Sequence, residues 1–481
     1  MNEDAGKLSD TDTIGLGPDA PARKAKRAGS AKRSKTGQLV ALDQIVNPEE
    51  AIPHGSRFKG YHDFTVQDIV ITTKNTRYRL ARWQTPDGRH LTGKLPKELQ
   101  GRHFGPGVVA YILYQHHHCH VTQPLLHEQL REWGVDISAG QINAILLDGK
   151  AAFHDEKDAL LAAGLALSTY VTVDDSGARH QGKNGYVTHI GNQYFASFHS
   201  SISKSRVNFL ELLRAGQTDY RITPSALAYM KEQGLSQVFL NALRGNATAD
   251  FADKAAWECH MAMLDMHTPR YRRIATEGAL LGSLSELHIA KNMAIISDDA
   301  GQFNVLTHGL CWVHAERLIH KMLPLNDQHR ADIAKVRSQV WDLYADLKSY
   351  KLAPAEELKP QLKKRFDAIF TQKTSYTSLN LLLLRLHKNK SELLLVLDRP
   401  EIPLHTNGSE GDIRGHVLKQ KISGGTRSDL GRKCRDTFSS LKKTCRKLGI
   451  SFWSYLIDRI SCSDQIPSLH HIIEQRIAAA A

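Results

Sequence analysis

The chain has 481 residues, and its 63 lysines and arginines outnumber its 50 acidic residues, which gives a formal net charge of +13. A charge of that sign attracts polyphosphates, so the composition favours a nucleic-acid partner whose binding weakens as salt is added. We expect no membrane contact, because no apolar stretch has membrane-spanning length and the N-terminus lacks the apolar region of a signal peptide. The six cysteines form no CxxC pair, which argues against a zinc ribbon or a disulfide framework and indicates an intracellular protein.

Residues 1–45 are predicted to be a disordered basic arm. Within them, seven of the fourteen residues of Ala22–Lys35 are Lys or Arg, and large apolar side chains are few. Such a segment cannot bury enough surface to offset its ordering entropy. The functional interpretation is an arm that lies on phosphates, and the alternative is a solvated tail. The basic character of the rest of the chain favours the arm.

Residues 55–100 are predicted to form a small antiparallel β region. Ile69–Thr73 and Tyr78–Trp83 are β-branched or alternating runs, and Pro86–Gly88 supplies a turn. The sequence indicates no function for this region.

Residues 101–160 are predicted to be helical and to contain a helix-turn-helix. Two short helices, with Thr122 and Ser138 as their N-terminal caps, are separated by a brief Gly-containing link. This outline is typical of DNA-binding helix pairs, in which the second helix reads base edges, here with Gln141 and Asn143. An ordinary helical hairpin fits the spacing equally well.

A histidine-rich run, Gln115–His120, lies between a further helix, predicted from the apolar stretch Gly107–Gln115, and the first of these two helices. Histidine and cysteine are metal ligands, but side chains adjacent in sequence rarely converge on one ion. We therefore predict a partly exposed loop rather than a metal site.

The central region begins with three consecutive antiparallel strands, predicted from Tyr170–Val173, Gly185–Ile190 and Gln193–Phe198. A helix over Val207–Arg214 and a buried strand over Ala294–Ser297 follow. This order matches a ribonuclease-H-like fold. We predict an α/β protein whose core covers 165–325 and 400–460, with a helical insertion over 326–399 and a C-terminal tail over 461–481.

Three acidic groups stand out in this core. Asp174 and Asp298 each follow an apolar strand, and Glu410 opens a long basic helical segment. Phosphodiester cleavage needs an activated water and a stabilised leaving oxygen, which two divalent ions about 4 Å apart supply. Mg²⁺ and Mn²⁺ prefer carboxylate oxygens, so we expect two such ions here.

Each of these carboxylates has a plain alternative. The two aspartates could be helix caps or loop acids, and Glu410 could be a solvated acid favoured by the helix dipole. Asp175 and Asp299 are adjacent rivals, because side chains alternate along a strand and only one of each pair can face the site.

The order of the motifs resembles that of DDE transposases of the insertion sequence 66 family, over roughly residues 100–460. The matching stretches are Asp174-Asp-Ser-Gly177, Ser297-Asp298, Cys311-Trp-Val-His314, Asn407-Gly-Ser-Glu410 with the downstream Arg414, and Ser423-Gly-Gly-Thr-Arg-Ser428. The chain departs from the family pattern at Asp175, Thr406 and Gly411, and the family's N-terminal cysteine-rich element has no counterpart in residues 55–100.

The resemblance implies a DNA transposase that cleaves element ends and transfers the 3′-hydroxyl to target DNA. Catalysis and metal binding are then carried by Asp174, Asp298 and Glu410. The implied partners are double-stranded DNA of both kinds, further copies of the chain and accessory transposition proteins, in the bacterial cytoplasm at the nucleoid. Two alternatives remain open: an inactive transposase-derived DNA-binding protein, and a structure-specific nuclease without strand transfer.

Cations follow the third motif in a dense run, which we interpret as a track for the DNA backbone, with a solvated helix face as the alternative. The candidates are Arg414, Lys419, Lys421, Arg427, Arg432 and Lys433. Four residues would support the motifs: Cys311, Trp312, His314 and Asn407. Cys311 and His314 lie three apart, which favours a buried structural pair or a pair that orients a catalytic carboxylate, and Trp312 is predicted to be core.

Overall fold

The computed structural model describes residues 42–96, 99, 103–245 and 249–479, in two units that cover residues 1–71 and 72–481. Most of the predicted basic arm, residues 1–41, lies outside the described residues. In the first unit, residues 42–71 are described and contain neither helix nor strand. In the second unit, none of the described helices combines the length and the apolar composition needed to cross a membrane.

The β region predicted over residues 55–100 is smaller than expected. Its described part is a hairpin of β1 (Arg82–Gln84) and β2 (His90–Thr92). The prediction of a strand over 69–73 is wrong, as is the early start at Tyr78. The apolar side chains at 69–71 are exposed, so no packed face stabilises an extended pair there.

Four helices follow in the second unit. The predicted order of three helices is confirmed as α1 (Pro106–His117), α2 (Gln123–Glu132) and α3 (Ala139–Leu147), and α4 (Ala151–Leu167) leads to the sheet. Ser138 caps α3 with a full capping box, in which its hydroxyl accepts from the Gln141 backbone and the Gln141 side chain accepts from the Ser138 backbone.

The central sheet has five strands in the order β5-β4-β3-β8-β9. The antiparallel part consists of β3 (Tyr170–His180), β4 (Lys183–Gly191) and β5 (Ala196–Ser201), as predicted. The parallel part adds β8 (Ala294–Ser297) and β9 (Thr307–Leu310) to β3. The chain is therefore an α/β protein with a mixed central sheet.

One strand is longer than predicted. β3 pairs with β8 only as far as Thr172, opposite Ile296, but it continues to His180 along β4. Asp174 therefore lies in the middle of β3, opposite His189, and not at a strand end. The parallel neighbour ends where the carboxylates begin, which exposes one edge of β3 beside them.

Between β5 and β8 the chain forms a helical layer with one small sheet. Its elements are α5 (Arg206–Leu213), β6 (Tyr220–Arg221), α6 (Pro224–Glu232), α7 (Gln237–Arg244), β7 (Asp250–Phe251), α8 (Lys254–Met263), α9 (Pro269–Leu284) and α10 (His288–Asn292). After β9 come α11 (Trp312–His320), α12 (Asp327–Leu352), α13 (Leu358–Phe370), α14 (Thr377–Lys388), α15 (Lys390–Leu393), α16 (Asn407–Ser423), α17 (Asp429–Lys447), α18 (Phe452–Ser461) and α19 (Leu469–Ala478). The C-terminal residues predicted as a tail thus include a packed helix, because Leu469 and Ile473 are fully buried.

The two faces of the sheet carry different helices. Val171 and Val173 belong to the large core that includes α4 and α9. Thr172 points to the other face, where its hydroxyl is hydrogen-bonded to that of Ser409 on α16 at 2.6 Å. Because side chains alternate along a strand, Asp174 lies on the same face as Thr172. The helices α11–α15 form a second core on Ala294, Ile296 and their neighbours of that face.

Candidate active site

Asp174 lies on β3, and Asp298 directly follows the neighbouring parallel strand β8. Each stands two residues beyond the last pair of the β3–β8 ladder, Thr172 and Ile296. Burial raises the pKa of Asp174 to about 6, the negative charges of Asp298 and Glu410 add to the rise, and a hydrogen bond from the Asp175 backbone opposes it. The pKa of the Asp174 carboxyl therefore depends on the charges of both of the other predicted carboxylates.

Glu410 reaches this place from the first turn of α16, which the Thr172–Ser409 hydrogen bond fixes to β3. Its Oε1 lies 3.4 Å from Nε2 of His314 and 3.6 Å from a guanidinium nitrogen of Arg317. That oxygen is buried, and no atom of the described residues is within hydrogen-bonding geometry of it. Helix α11 thus balances the charge of Glu410 without saturating the carboxylate.

The carboxylates of Asp175 and Asp299, the sequence neighbours of the two predicted ligands, form contacts with other side chains. Asp175 accepts hydrogen bonds from the Thr188 hydroxyl at 2.5 Å and from the Gln302 amide at 2.9 Å, and burial raises its pKa. Asp299 forms an ion pair with Arg385 of α14. Of each adjacent pair, only Asp174 and Asp298 are left without a side-chain partner of this kind among the described residues.

The Cys-Trp-x-His stretch forms the start of α11. Burial alone would raise the pKa of the Cys311 thiol, but its interactions with His314 and Thr406 outweigh burial and lower that pKa. The interaction with Cys311 raises the pKa of His314 against burial, and Glu410 adds to the rise. Trp312 is core, as predicted, and its indole donates to the Leu393 carbonyl at 2.8 Å. The arrangement agrees with a pair that orients a carboxylate.

The predicted DNA-contacting cations divide by exposure. Arg414, Lys421, Arg427 and Lys433 are exposed, and Arg432 is half-buried and bound to Asp429 at 2.8 Å. Lys419 departs from the prediction: it is buried and donates to the His116 carbonyl at 2.8 Å, and burial lowers its pKa to about 7. Its charge is directed into the protein, because the end of α1 supplies a carbonyl acceptor there.

The histidine run was also predicted incorrectly in part. His116 and His117 form the last turn of α1, and the ring of His117 stacks on Phe438 with centroids 4.3 Å apart. Only His118 to His120 follow the helix. Packing against α17 replaces solvent around the first two rings.

On α3, Gln141 and Asn143 are both exposed, as base-reading residues must be. The Gln141 carbonyl already accepts from the Ser138 backbone at 2.8 Å, and the Asn143 carbonyl accepts weakly from Gln123 at 3.4 Å. Asn407, the first residue of α16, is exposed.

A buried relay beside the carboxylates was missed by sequence reasoning. The Ser297 hydroxyl donates to the Asp298 carbonyl at 2.5 Å and contacts Nε2 of His308 at 2.8 Å. Nδ1 of His308 lies 2.9 Å from the Glu392 carboxylate on α15. The only local signal was a serine directly before a strand-terminal aspartate, and its partners lie far along the chain.

The donor set fits a hard divalent cation in kind, since the Asp174 carboxyl has the carboxylates of Asp298 and Glu410 as charged neighbours and Glu410 holds a buried oxygen without a hydrogen-bond partner among the described residues. Within the described ranges, however, no three His, Cys, Asp or Glu side chains are arranged closely enough to hold a metal ion together. Glu410 is turned toward His314 and Arg317 instead. Ion binding would require this side chain to turn toward the aspartates.

Comparison with known proteins gives two matches. A family model described as "Transposase IS66 family" matches residues 261–433, a segment that contains Asp298, the Cys311–His314 stretch and Glu410 but not Asp174. An "Uncharacterized protein y4jO" of Sinorhizobium fredii is 42% identical over 308 residues, which cover 64% of this chain and 96% of that relative.

Proposed function

The chain belongs to the IS66 family of transposases, and we propose that it is a DNA transposase in which Asp174, Asp298 and Glu410 carry the chemistry. In the first step, water attacks a phosphorus atom at the element end, and the bond from that phosphorus to the 3′-oxygen breaks. In the second step, the freed 3′-hydroxyl attacks a phosphodiester of target DNA, so that one new bond forms for each bond broken.

The observation that carries the proposal is the placement of three carboxylates on adjoining elements: Asp174 on β3, Asp298 directly after the parallel strand β8, and Glu410 on α16, which is hydrogen-bonded to β3 through Ser409 and Thr172. The carboxyl group of Asp174 is affected by the charges of Asp298 and Glu410, although 124 and 236 residues separate them along the chain. A fold that needed these acids only for solubility would keep them apart, because like charges in a partly buried place oppose folding. Their convergence supports a site that takes positive charge.

Two Mg²⁺ or Mn²⁺ ions are the proposed cofactors, held by the three carboxylates. Bound there, such ions activate the attacking oxygen and stabilise charge on the leaving oxygen. The chain itself holds Asp174 by the Asp175 backbone and keeps Glu410 beside His314 and Arg317. We expect the Arg317 guanidinium, with His314 beside it, to neutralise Glu410 until it turns toward the aspartates.

The fold supports a ribonuclease-H-like core built on β3, β4, β5, β8 and β9, with α12–α15 as the helical insertion. We propose α2 and α3 as the helix-turn-helix and Gln141 and Asn143 as base-contacting residues. The exposed cations Arg414, Lys421, Arg427 and Lys433 would follow the DNA backbone, with Arg432 beside them. The proposed setting is the bacterial nucleoid, with double-stranded DNA, further copies of the chain and accessory transposition proteins as partners.

A second candidate is a transposase-derived protein that binds DNA without cutting it. The observation that favours it is the contact of Glu410 with His314 and Arg317, together with the lack of a ready-formed cation site among the described residues.

The test is nicking of a supercoiled plasmid that carries the element's terminal DNA, with Mg²⁺ or Mn²⁺ and any accessory proteins supplied. We expect Asp298→Asn and Glu410→Gln to lose roughly a hundredfold or more of the nicking rate, and EDTA to abolish it. Asp299→Asn is the matched control and should retain most of the rate, because Asp299 pairs with Arg385.

The outcomes separate the candidates. Salt-sensitive DNA binding by all the proteins without nicking would establish the binding protein. Equal loss in Asp299→Asn would show that the choice of Asp298 over its neighbour is wrong.

A further inference from the structure

The glycine-rich loop Ser423–Ser428 clamps the tip of the β3–β4 hairpin. The Gln181 backbone donates to the Thr426 carbonyl at 2.7 Å, and the Thr426 backbone donates to the Arg179 carbonyl at 3.0 Å. A Cβ on Gly425 would lie 2.3 Å from that Arg179 carbonyl oxygen, so the approach requires glycine. The loop and the hairpin tip therefore have a fixed separation.

A cavity of about 400 Å³ lies between this tip and the helices α16 and α17. Its lining is rich in cationic and imidazole side chains from three parts of the chain: Arg179, His180, Lys183, His416, Arg432 and Arg435. The acid of the lining, Asp429, is 2.8 Å from Arg432 and 3.2 Å from His180. The cavity is therefore positively charged on balance.

His416 adds an unsatisfied polar group to this lining. The side chain is only 3% exposed, and neither ring nitrogen has a hydrogen-bond partner among the described residues. Burial lowers the pKa of His416 to about 3, with further lowering from Arg435 and Lys442, so the ring is neutral at pH 7. A neutral imidazole holds one N–H to donate, and leaving such a group unpaired opposes folding.

We propose that this cavity is a subsite for a backbone phosphate of the DNA that the protein binds, with Arg179 and Lys183 at its mouth and His416 as a neutral donor within it. The inference rests on the proposed function. Arg179 and Lys183 stand on a hairpin tip that the loop holds in place, and His416 offers a donor without a partner among the described residues. Together they can bind an anion that carries several acceptor oxygens.

The position of the cavity suggests where on the DNA this contact falls. His180 stands six residues beyond Asp174 on the same strand, or about 20 Å at roughly 3.3 Å per residue. One DNA strand carries a phosphate about every 3.4 Å along the helix axis. Where the duplex follows the hairpin, the contacted phosphate lies roughly six nucleotides from the cleaved bond.

The test is a salt titration of binding to a fluorescein-labelled random duplex of about 30 base pairs, over roughly 50–200 mM salt. Removing two phosphate contacts with Arg179→Gln plus Lys183→Gln should reduce the log–log salt slope by about two. Arg244→Gln, an exposed arginine on α7, is the matched control and should leave the slope unchanged.

His416→Phe tests the interior of the cavity separately. It retains a ring to stack on Phe198 but removes the donor. Because a neutral donor releases no counterion, affinity should fall roughly two- to tenfold at every salt concentration with the slope unchanged. Thermal unfolding of each variant checks the fold, and the exposed pair keeps the test decisive if His416→Phe is unstable.

Three results overturn the inference. Wild-type protein that fails to bind duplex DNA would remove both the proposed function and this subsite. Wild-type protein that binds and nicks, beside hairpin variants with an unchanged slope or an Arg244 control with an equal loss, would remove the subsite alone. If inorganic phosphate bound the wild type and not the Arg179→Gln plus Lys183→Gln variant, while both proteins kept the same salt slope for DNA, the cavity would be a site for free phosphate and not for DNA.

Discussion

Two residues after Glu410, Asp412 is buried between α16 and the sheet. Its carboxylate lies 3.3 Å from Nε2 of His189, 3.4 Å from Nζ of Lys443 and 2.9 Å from Nζ of Lys447. His189 is the residue that stands opposite Asp174 on β4. A single buried acid thus joins the helix of one candidate ligand to the strand beside another.

We expect Asp412→Asn to lower the free energy of unfolding at pH 7 by about 2–4 kcal/mol, since it leaves buried positive groups without their partner. Burial would raise the pKa of Asp412, but His189 and Lys447 outweigh burial and lower it. A lowered folded-state pKa gives stability that is present above the unfolded value of about 4 and is lost as the pH falls below it. Urea unfolding should therefore show the gap between wild type and variant closing below about pH 4.

The control for this variant is Asp136→Asn, whose exposed carboxylate pairs with Arg131. Its effect should stay within about 0.5 kcal/mol. A loss equal to that of Asp412→Asn would mean that general charge, and not the buried contact, sets the stability.

Asp436 should show the opposite pH dependence. Its buried carboxylate accepts from the backbone and hydroxyl of Ser200 at 2.7 and 2.8 Å, and burial raises its pKa to about 6. The folded state then holds the proton more tightly than the unfolded state, so this stability is present below about pH 4 and is lost as the pH rises through 6.

Asp436→Asn removes that titration. As the pH is lowered from 7 to 4, the free energy of unfolding of the wild type should rise relative to that of the variant by up to about 3 kcal/mol, at about 1.4 kcal/mol per pKa unit. The measurement is chemical unfolding of both proteins across that range. A difference that is flat with pH would contradict the buried, proton-binding state.

At the scale of elements, the helical insertion is linked to the strand that ends in Asp298. The chain of hydrogen bonds runs from Glu392 on α15 through His308 on β9 to Ser297 on β8. The Ser297 hydroxyl then fixes the carbonyl of Asp298. A movement of α15 would therefore reach the backbone of a candidate ligand through two side chains.

We expect Glu392→Gln to lower the turnover rate of nicking roughly tenfold, the lower end of what supporting residues contribute at metal sites, with little change in the Kd for DNA. His308→Gln should act similarly, and the double variant should be no worse than either alone, because both break one relay. Additive losses would contradict the relay. Glu357→Gln, an exposed acid of the same insertion, is the control.

The contact of α9 with β6 depends on a glycine. A Cβ at Gly282 would lie 2.1 Å from the Arg221 carbonyl oxygen, whereas one at Gly107 on α1 would meet nothing within 4 Å. Gly282→Ala should therefore cost about 2 kcal/mol or more of unfolding free energy. Gly107→Ala, the helical control, should add about 0.5–1 kcal/mol. Urea unfolding that ranked them the other way would reject this packing.

Over the whole chain, dense runs of Lys and Arg occur in two places, one early and one late in the sequence. The basic stretch Ala22–Lys35 precedes the helices α1–α3 in the sequence, and the exposed cations of α16 and α17 come last. A DNA-binding chain of this kind should depend strongly on salt, because each neutralised phosphate releases a counterion.

Deleting residues 1–41 should reduce the log–log salt slope of duplex binding by up to about six, at roughly 0.9 for each of the seven cations of Ala22–Lys35. Deleting only residues 1–21, which leaves those cations in place, is the control and should have little effect. An unchanged slope after the longer deletion would favour the solvated tail over the arm.

Local patterns predicted much of the fold. The hairpin of β4 and β5, the helices α2 and α3 and the short strand β8 follow from periodicity and turn residues, which act within a few positions. Of the two predicted caps, Ser138 forms its side-chain cap hydrogen bond, whereas Thr122 begins α2 without one. The extension of β3 to His180 was not predicted, because Asp174–His180 has little strand propensity and forms a strand only by pairing with β4. Strand alternation alone left Asp174 and Asp175 as rivals, since the contacts of Asp175 with Thr188 and Gln302 come from other elements.

Long-range contacts account for the remaining differences. Lys419 was predicted to face DNA because its neighbours in sequence are cations, but its acceptor on His116 is 303 residues away. The hydrogen-bonded relay through His308 likewise joins residues that are far apart in the sequence. For the candidate site, the three carboxylates could be chosen in advance from motif order, whereas the cationic groups that hold Glu410 emerged only from the packing of α11 on α16.

The three carboxylates lie far apart along the chain, so the ribosome synthesises them at different times. Asp298 and Glu410 are synthesised 124 and 236 residues after Asp174. At roughly 5–20 residues per second, the ribosome needs about 10–50 s to pass from the first to the third. The helices α1–α3 have emerged by then. If these helices hold DNA and the three carboxylates cut it, as we propose, each new copy gains the means to hold DNA well before the means to cut it.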